Sequence, residues 1–172
     1  MSKEHVLQSL TKDELIQLIT LYAKNWLAMD GVWFQSVERK YGMDEAMFHD
    51  AEAWKAFTVI EARRIKQFLQ LPSRAGLDGL AKALSLRFYA HINQDDIQIE
   101  GNTLIYRTRT CRVQNARTRK GMPLHPCKSV GIIEYAGFAH EIDDRIRCEC
   151  LSCFPDITDE TCACAWKFTL VD

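Results

Sequence analysis

The sequence predicts an α+β fold. A helical N-terminal part, residues 1–76, packs on a sheet-containing part, residues 77–172, and the sheet is antiparallel in β-β-α-β-β order. Three observations carry this. Apolar residues recur at helical spacing through the first half. Ile97 and Ile99 then alternate with polar neighbours before the turn signal Gly101-Asn102. Six of the seven cysteines fall in the last third: Cys127, Cys148, Cys150, Cys153, Cys162 and Cys164. A chain of 172 residues that is 47% hydrophobic is expected to form a single domain with a real core.

Each element has a local reason. Thr11 and Glu14 form a capping box, and Leu15, Leu18, Ile19, Tyr22 and Trp26 follow a helical period. Asp30-Gly31 is a plausible break. Val32, Trp33, Val37 and Tyr41 mark a short second helix closed by Gly42. Asp44 can cap a third helix reaching about residue 70, with Met47, Ala51, Trp54, Phe57, Ile60, Ile65 and Phe68 on its stripe and Pro72 ending it. Leu77, Leu80, Ala81, Leu84 and Phe88 give a fourth. The two strands around Gly101 make a hairpin, the second running over 104–111. Lys120 to Pro123 is loop. Pro126 suits the first turn of a helix over 127–141, which carries Gly131 and Gly137. Strands over 145–151 and 164–171 close the fold.

Bulk properties exclude several function classes. Net charge is −1, so composition favours neither nucleic acid nor an anionic membrane surface. No apolar run reaches the roughly 18 residues of a membrane span. The start, Met1 to Val6, is polar and has no leader-like apolar segment. A cytoplasmic location is expected. Thiols stay reduced there, so clustered cysteines read as metal ligands before disulfides.

Cys150 and Cys153 form a C-x-x-C pair, with Cys127 upstream and Cys164 downstream. Thiolates are the ligand form, and zinc is the first metal by ligand chemistry, with an iron–sulfur cluster or redox centre as the alternative. Four thiolates fill a tetrahedral site, which makes it structural. Three would leave a place for water and hydrolysis. Cys162 competes with Cys164 for the fourth place, and Cys148 shares a strand face with Cys150. His125 is an alternative ligand or a donor to a thiolate.

These cysteines, and the ending Cys164-Ala-Trp-Lys-Phe168, resemble the 4-vinyl-reductase domain family and the L-2-amino-thiazoline-4-carboxylate hydrolase-like proteins over residues 77–170. The family spacing of about 23 and then three positions matches Cys127, Cys150 and Cys153, while the last interval, to Cys164, is longer. The resemblance implies a zinc site at Cys127, Cys150, Cys153 and Cys164, a small apolar, aromatic or carboxylate ligand, a sensing role and a homodimer.

Other constellations have plainer readings. Residues 101–133 hold seven Lys or Arg and no Asp or Glu, leaving −8 on the remainder. Arg107 and Arg109 in this run are candidates for an anion site, against the ordinary reading of a solvated face. Few aromatics interleave the run, which argues against RNA. Trp33, Trp54, Phe57 and Tyr106 are candidate pocket residues, against simple core packing. His49 and Glu52 share a helix face, where a surface ion pair is the ordinary reading. Cys111 lies among arginines that would lower its pKa, which makes it a candidate nucleophile. The expectation is a non-catalytic metal-bound domain that binds a small molecule between helices and sheet. The alternative is a cysteine- or metal-dependent hydrolase of C–N or C–S bonds.

Overall fold

A computed structural model describes residues 3–172. Met1 and Ser2, the first residues of the polar start, lie outside them. The helices are α1 (Lys3–Gln8), α2 (Lys12–Tyr41), α3 (Met43–Phe68), α4 (Gly76–Leu84), α5 (Arg112–Arg119) and α6 (Lys128–Ile142), with a 3₁₀ turn at Phe88–His91. The strands are β1 (Gln94–Glu100), β2 (Thr103–Thr110), β3 (Ile146–Cys153) and β4 (Cys164–Leu170). They form one antiparallel sheet in the order β1-β2-β4-β3. The fold is α+β, as the sequence predicts.

Local sequence explains most boundaries. Thr11 caps α2, and Glu14 returns the bond to the Thr11 backbone in a closed capping box. Asp30-Gly31 does not break the helix. α2 continues through it to Tyr41, because a helical glycine costs only about 1 kcal/mol against alanine and the packing of α2 on α3 outweighs that. The break comes at Gly42, whose φ of 94° suits glycine alone, and α3 starts there without a side-chain cap from Asp44. The fourth helix stops at Leu84, short of Phe88. α5 falls in the basic run, where local sequence predicts no element.

The core lies between α6 and one sheet face. Leu80 and Leu84 of α4, Phe138 and Ile142 of α6, Leu104 of β2 and Trp166 and Phe168 of β4 are sealed from solvent. Gly131 is there for close approach. A Cβ at that position would stand 2.7 Å from the Trp166 ring, so only glycine lets α6 settle on β4. Gly137 does the same against Thr58 of α3.

A buried ion network joins the two halves. Arg87, just before the 3₁₀ turn, donates to Glu61 of α3 at 2.8 Å and sits 2.6 Å from Glu134 of α6. Its guanidinium also lies 4.8 Å from the Phe138 ring centroid. Burial and the neighbouring Glu61 charge push the Glu134 carboxyl up to about 7, against the pull of Arg87. Farther along, Asp143 at the end of α6 accepts from the backbone N–H of Gly76 and pairs with Arg145, which holds its carboxyl down at about 2.

Candidate functional site

The cysteines converge because of one strand irregularity. Alternation on β3 puts Cys148 and Cys150 on the face toward α6 and should send Cys153 to the other. The β3–β4 register shifts between Cys150 and Ser152. Cys153 is thereby paired with Cys164, and Thr108 of β2 pairs with Cys164 from the other side. Thr108, Cys164 and Cys153 form a row across the sheet. Cys127 comes to that row from the N-cap of α6, where the Lys128 N–H bonds the Phe154 carbonyl at 3.0 Å. The Cys153 thiol interacts electrostatically with Cys127, Cys164 and Cys150. The interaction with Cys127 and burial raise the Cys153 pKa against the pull of Cys164, and the interaction with Cys153 and burial raise that of Cys164.

The donor types suit zinc. Even so, among the described residues no group of three or more His, Cys, Asp or Glu side chains is arranged to hold a metal ion. Cys148 packs at the core edge with its thiol pushed up to about 12 by burial. Cys162 bonds Asp159 instead.

Cys127 has a second set of partners, and these are placed with definite geometry. Its Sγ lies 3.2 Å from His125 Nδ1. His125 Nε2 lies 3.2 Å from Asp50 Oδ2 on α3. Gln114 of α5 clamps the segment: its Oε1 accepts from the His125 N–H at 3.0 Å, and its Nε2 donates to the His125 carbonyl at 2.8 Å and to Cys127 Sγ at 3.2 Å. The Phe34 ring of α2 packs on the imidazole, centroids 4.7 Å apart. His125 and Asp50 are each only 8% exposed. An Nε2–H bond to Asp50 leaves the Nδ1 lone pair facing the thiol. That sulfur sits at the N-terminus of α6, with the Gln114 amide donating to it.

This trio opens onto a cavity of about 160 Å³, a size that elsewhere admits one benzene-sized ring. α2 supplies Asp30 and Phe34 to its wall, α3 supplies Asp50 and Trp54, and the 3₁₀ turn supplies Tyr89. From the other half come Cys111, Arg112, Glu134, Tyr135 and the Thr108, Cys153, Cys164 and Trp166 side of the sheet. The cavity therefore lies between the helical part and the sheet.

The remaining sequence candidates fall in several places. Trp54 lines the cavity, while Phe57 lines a separate surface groove with Trp26 and Phe88. Tyr106 is buried in the core beside Tyr135, and Trp33 is half-exposed on α2 against His49. Arg107 bonds Gln98 and approaches Asp159, and Arg109 bonds Asp96 and Thr161. Both pair with surface acids and lie outside the cavity lining. Cys111 lines the cavity, but the expected lowering by arginines is absent: burial pushes its thiol up to about 11, against the backbone N–H groups of Gln114 and Val113. His49 pairs with Glu45, one turn before it and not three residues after. Asp50 and Gln114 carried no sequence signal. They are ordinary helix-surface residues until α3 and α5 are docked beside Cys127.

Among the described residues, no helix is long and apolar enough to cross a membrane. No curated protein and no solved structure matches the chain. The chain belongs to a family of unknown function, DUF6125, which matches residues 8–170.

Proposed function

We propose that this family member binds a small molecule in the cavity between its helices and sheet and acts on it as a thiol hydrolase. The observation that carries the reading is His125, held 3.2 Å from Cys127 Sγ on one side and 3.2 Å from Asp50 on the other, at the cavity wall. The chemistry is nucleophilic catalysis by an activated cysteine. The thiol proton passes to His125 Nδ1, and the sulfur attacks the electrophilic carbon of a C–N or C–S bond. His125 returns the proton to the departing nitrogen or sulfur. A water then gives its proton to His125, attacks the covalent intermediate and releases the thiol. Gln114 Nε2, which donates to Cys127 Sγ at 3.2 Å, faces the negative charge on the attacking sulfur.

Alkylation tests it directly. Iodoacetamide should modify Cys127 faster than Cys111 at neutral pH, and His125→Ala should slow that reaction at least tenfold, by peptide mass spectrometry. Cys127→Ala should abolish turnover of any activated amide or thioester that the wild type hydrolyses. Equal alkylation of Cys127 and Cys111 would remove the reading.

A second reading has its own observation. Cys153 lies among Cys127, Cys150 and Cys164, and zinc held by these four would pin α6 to β3 and β4. It competes for the same Cys127 sulfur, so the protein would then be a binding domain, a sensor by its resemblance, and not a hydrolase. Elemental analysis of purified protein separates the two, since bound zinc at one per chain protects Cys127 from iodoacetamide. An absorption spectrum would expose an iron–sulfur cluster in its place. A homodimer accompanies either reading, supported by the exposed apolar residues of α2.

A further inference from the structure

Charges around the cavity do not balance locally. Glu134 is matched by Arg87 behind the wall, and Arg117 is matched by Glu38 at 2.7 Å. Asp50 is engaged with His125. Arg112 is exposed, at the rim. That leaves Asp30. It projects from α2 beside Phe34, on the face that lines the cavity, and it makes no hydrogen bond or salt bridge to any described residue. Its electrostatic neighbours are Asp50, which repels it, His125 and the Tyr89 phenol. A carboxylate held half-buried next to a second carboxylate is costly to fold around unless something positive joins them. The cost is visible in its proton affinity, raised to about 6.

The rest of the wall is suited to what would join them. Phe34, Trp54 and Tyr89 present aromatic surface beside these acids, and aromatic faces attract organic cations. Two buried polar atoms on the sheet side, Trp166 Nε1 and Thr108 Oγ1, also have no hydrogen bond of good geometry, so the floor offers unused polar groups.

We propose that the ligand of this cavity is a small organic cation, a single ring or similarly sized apolar body bearing a protonated amine or amidinium, whose N–H groups bridge Asp30 and Asp50 beside Cys127. The inference deepens the hydrolase reading by naming its substrate class, and it rests on that reading only for what happens after binding. An amidinium in this position would place its carbon between the carboxylates and the Cys127 sulfur. A cationic nitrogen flanking the attacked carbon would also make that carbon more electrophilic. A carboxylate ligand would meet Asp30 and Asp50 with like charge.

Benzamidine, benzamide and benzoate share one ring and differ in charge, so they are the probes. By calorimetry at neutral pH, benzamidine should bind at least tenfold tighter than benzamide, and benzoate weakest. Asp30→Asn should bring benzamidine to within about twofold of benzamide, with unchanged circular dichroism. The wild-type comparison stands alone should that variant fail to fold. Equal affinities for benzamidine and benzamide, or a preference for benzoate, would overturn the proposal. A benzamidine preference without fast alkylation of Cys127 keeps the cation site and removes the nucleophile. Fast alkylation without that preference keeps the nucleophile and removes the cation site.

Discussion

The two faces of α6 meet very different partners. Toward the sheet, α6 is buried against a sealed apolar layer in which Trp166, Phe168 and Leu104 are at most 1% exposed. Toward the helical part it meets α3, and beyond α3 lies α2, where Ile16, Tyr22, Met29, Val32 and Trp33 all remain substantially exposed. The apolar side of α6 is held by area and fit. The junction with the helical part relies on placed polar groups: Arg87 between Glu61 and Glu134, Arg117 on Glu38, and His125 on Asp50. The cavity sits on that second boundary. Its reactive groups come from both halves, so the polar joint that sets the distance between them also sets the distance from Asp50 to His125.

The largest expected effect tests that joint. Arg87→Met leaves Glu61 and Glu134 facing each other with no counter-charge. Breaking a buried ion pair from one side costs about 3–5 kcal/mol. Arg63→Met removes a superficially similar contact, the 2.9 Å pair with Glu141, but Arg63 is 63% exposed. Its loss should cost less than about 1 kcal/mol. Urea unfolding of both variants measures the contrast. Similar midpoints would mean that the buried network does not hold the halves together.

The two sides should also answer pH in opposite senses. Glu134 at the junction binds its proton more tightly folded than unfolded, its pKa being raised to about 7. The folded state is therefore favoured at low pH, and stability falls as pH rises from the ordinary glutamate value through about 7. Asp143, at the far end of α6, is shifted down to about 2 from 3.8. Its contribution is present above 3.8 and is lost as pH falls through about 2. That shift corresponds to about 2 kcal/mol, an upper figure. Thermal unfolding should show Glu134→Gln flattening the decline toward neutral pH. The deficit of Asp143→Asn should shrink as pH falls from about 4 to about 2. A deficit of Asp143→Asn independent of pH would point to lost hydrogen bonds rather than lost charge.

How legible each side was follows from the same contrast. The sheet side is written locally: alternation gave β1 and β2, Gly101 gave their turn, and Pro126 placed the start of α6 to within two residues. What alternation missed there was the register shift before Ser152, because an extra residue in one strand depends on the partner strand. It is also what puts Cys153 beside Cys164. The junction was far less legible. His125 was visible as a donor to the neighbouring thiol because the two are adjacent in the chain. Asp50 was not visible, since it meets His125, 75 residues on, only when α3 is docked against the loop before α6. Asp30 looked like part of a helix break and proved to be a wall residue of a continuous helix.

The smallest expected effect concerns the outermost surface. Met29 lies on α2 next to Asp30 but about 100° round the helix from it, 69% exposed. In a monomer, Met29→Gln should change stability by no more than about 0.5 kcal/mol, since an exposed side chain gives up little on substitution. In a homodimer joined through α2, the same change removes apolar area from an interface, and light scattering at decreasing concentration should show earlier dissociation. Ligand binding separates these outcomes from damage to the site, because Asp30 keeps its place on the cavity side of the helix. A Met29→Gln protein with weaker benzamidine binding and intact stability would mean that pairing through α2 sets the position of Asp30. The cavity would then belong to the dimer and not to one chain.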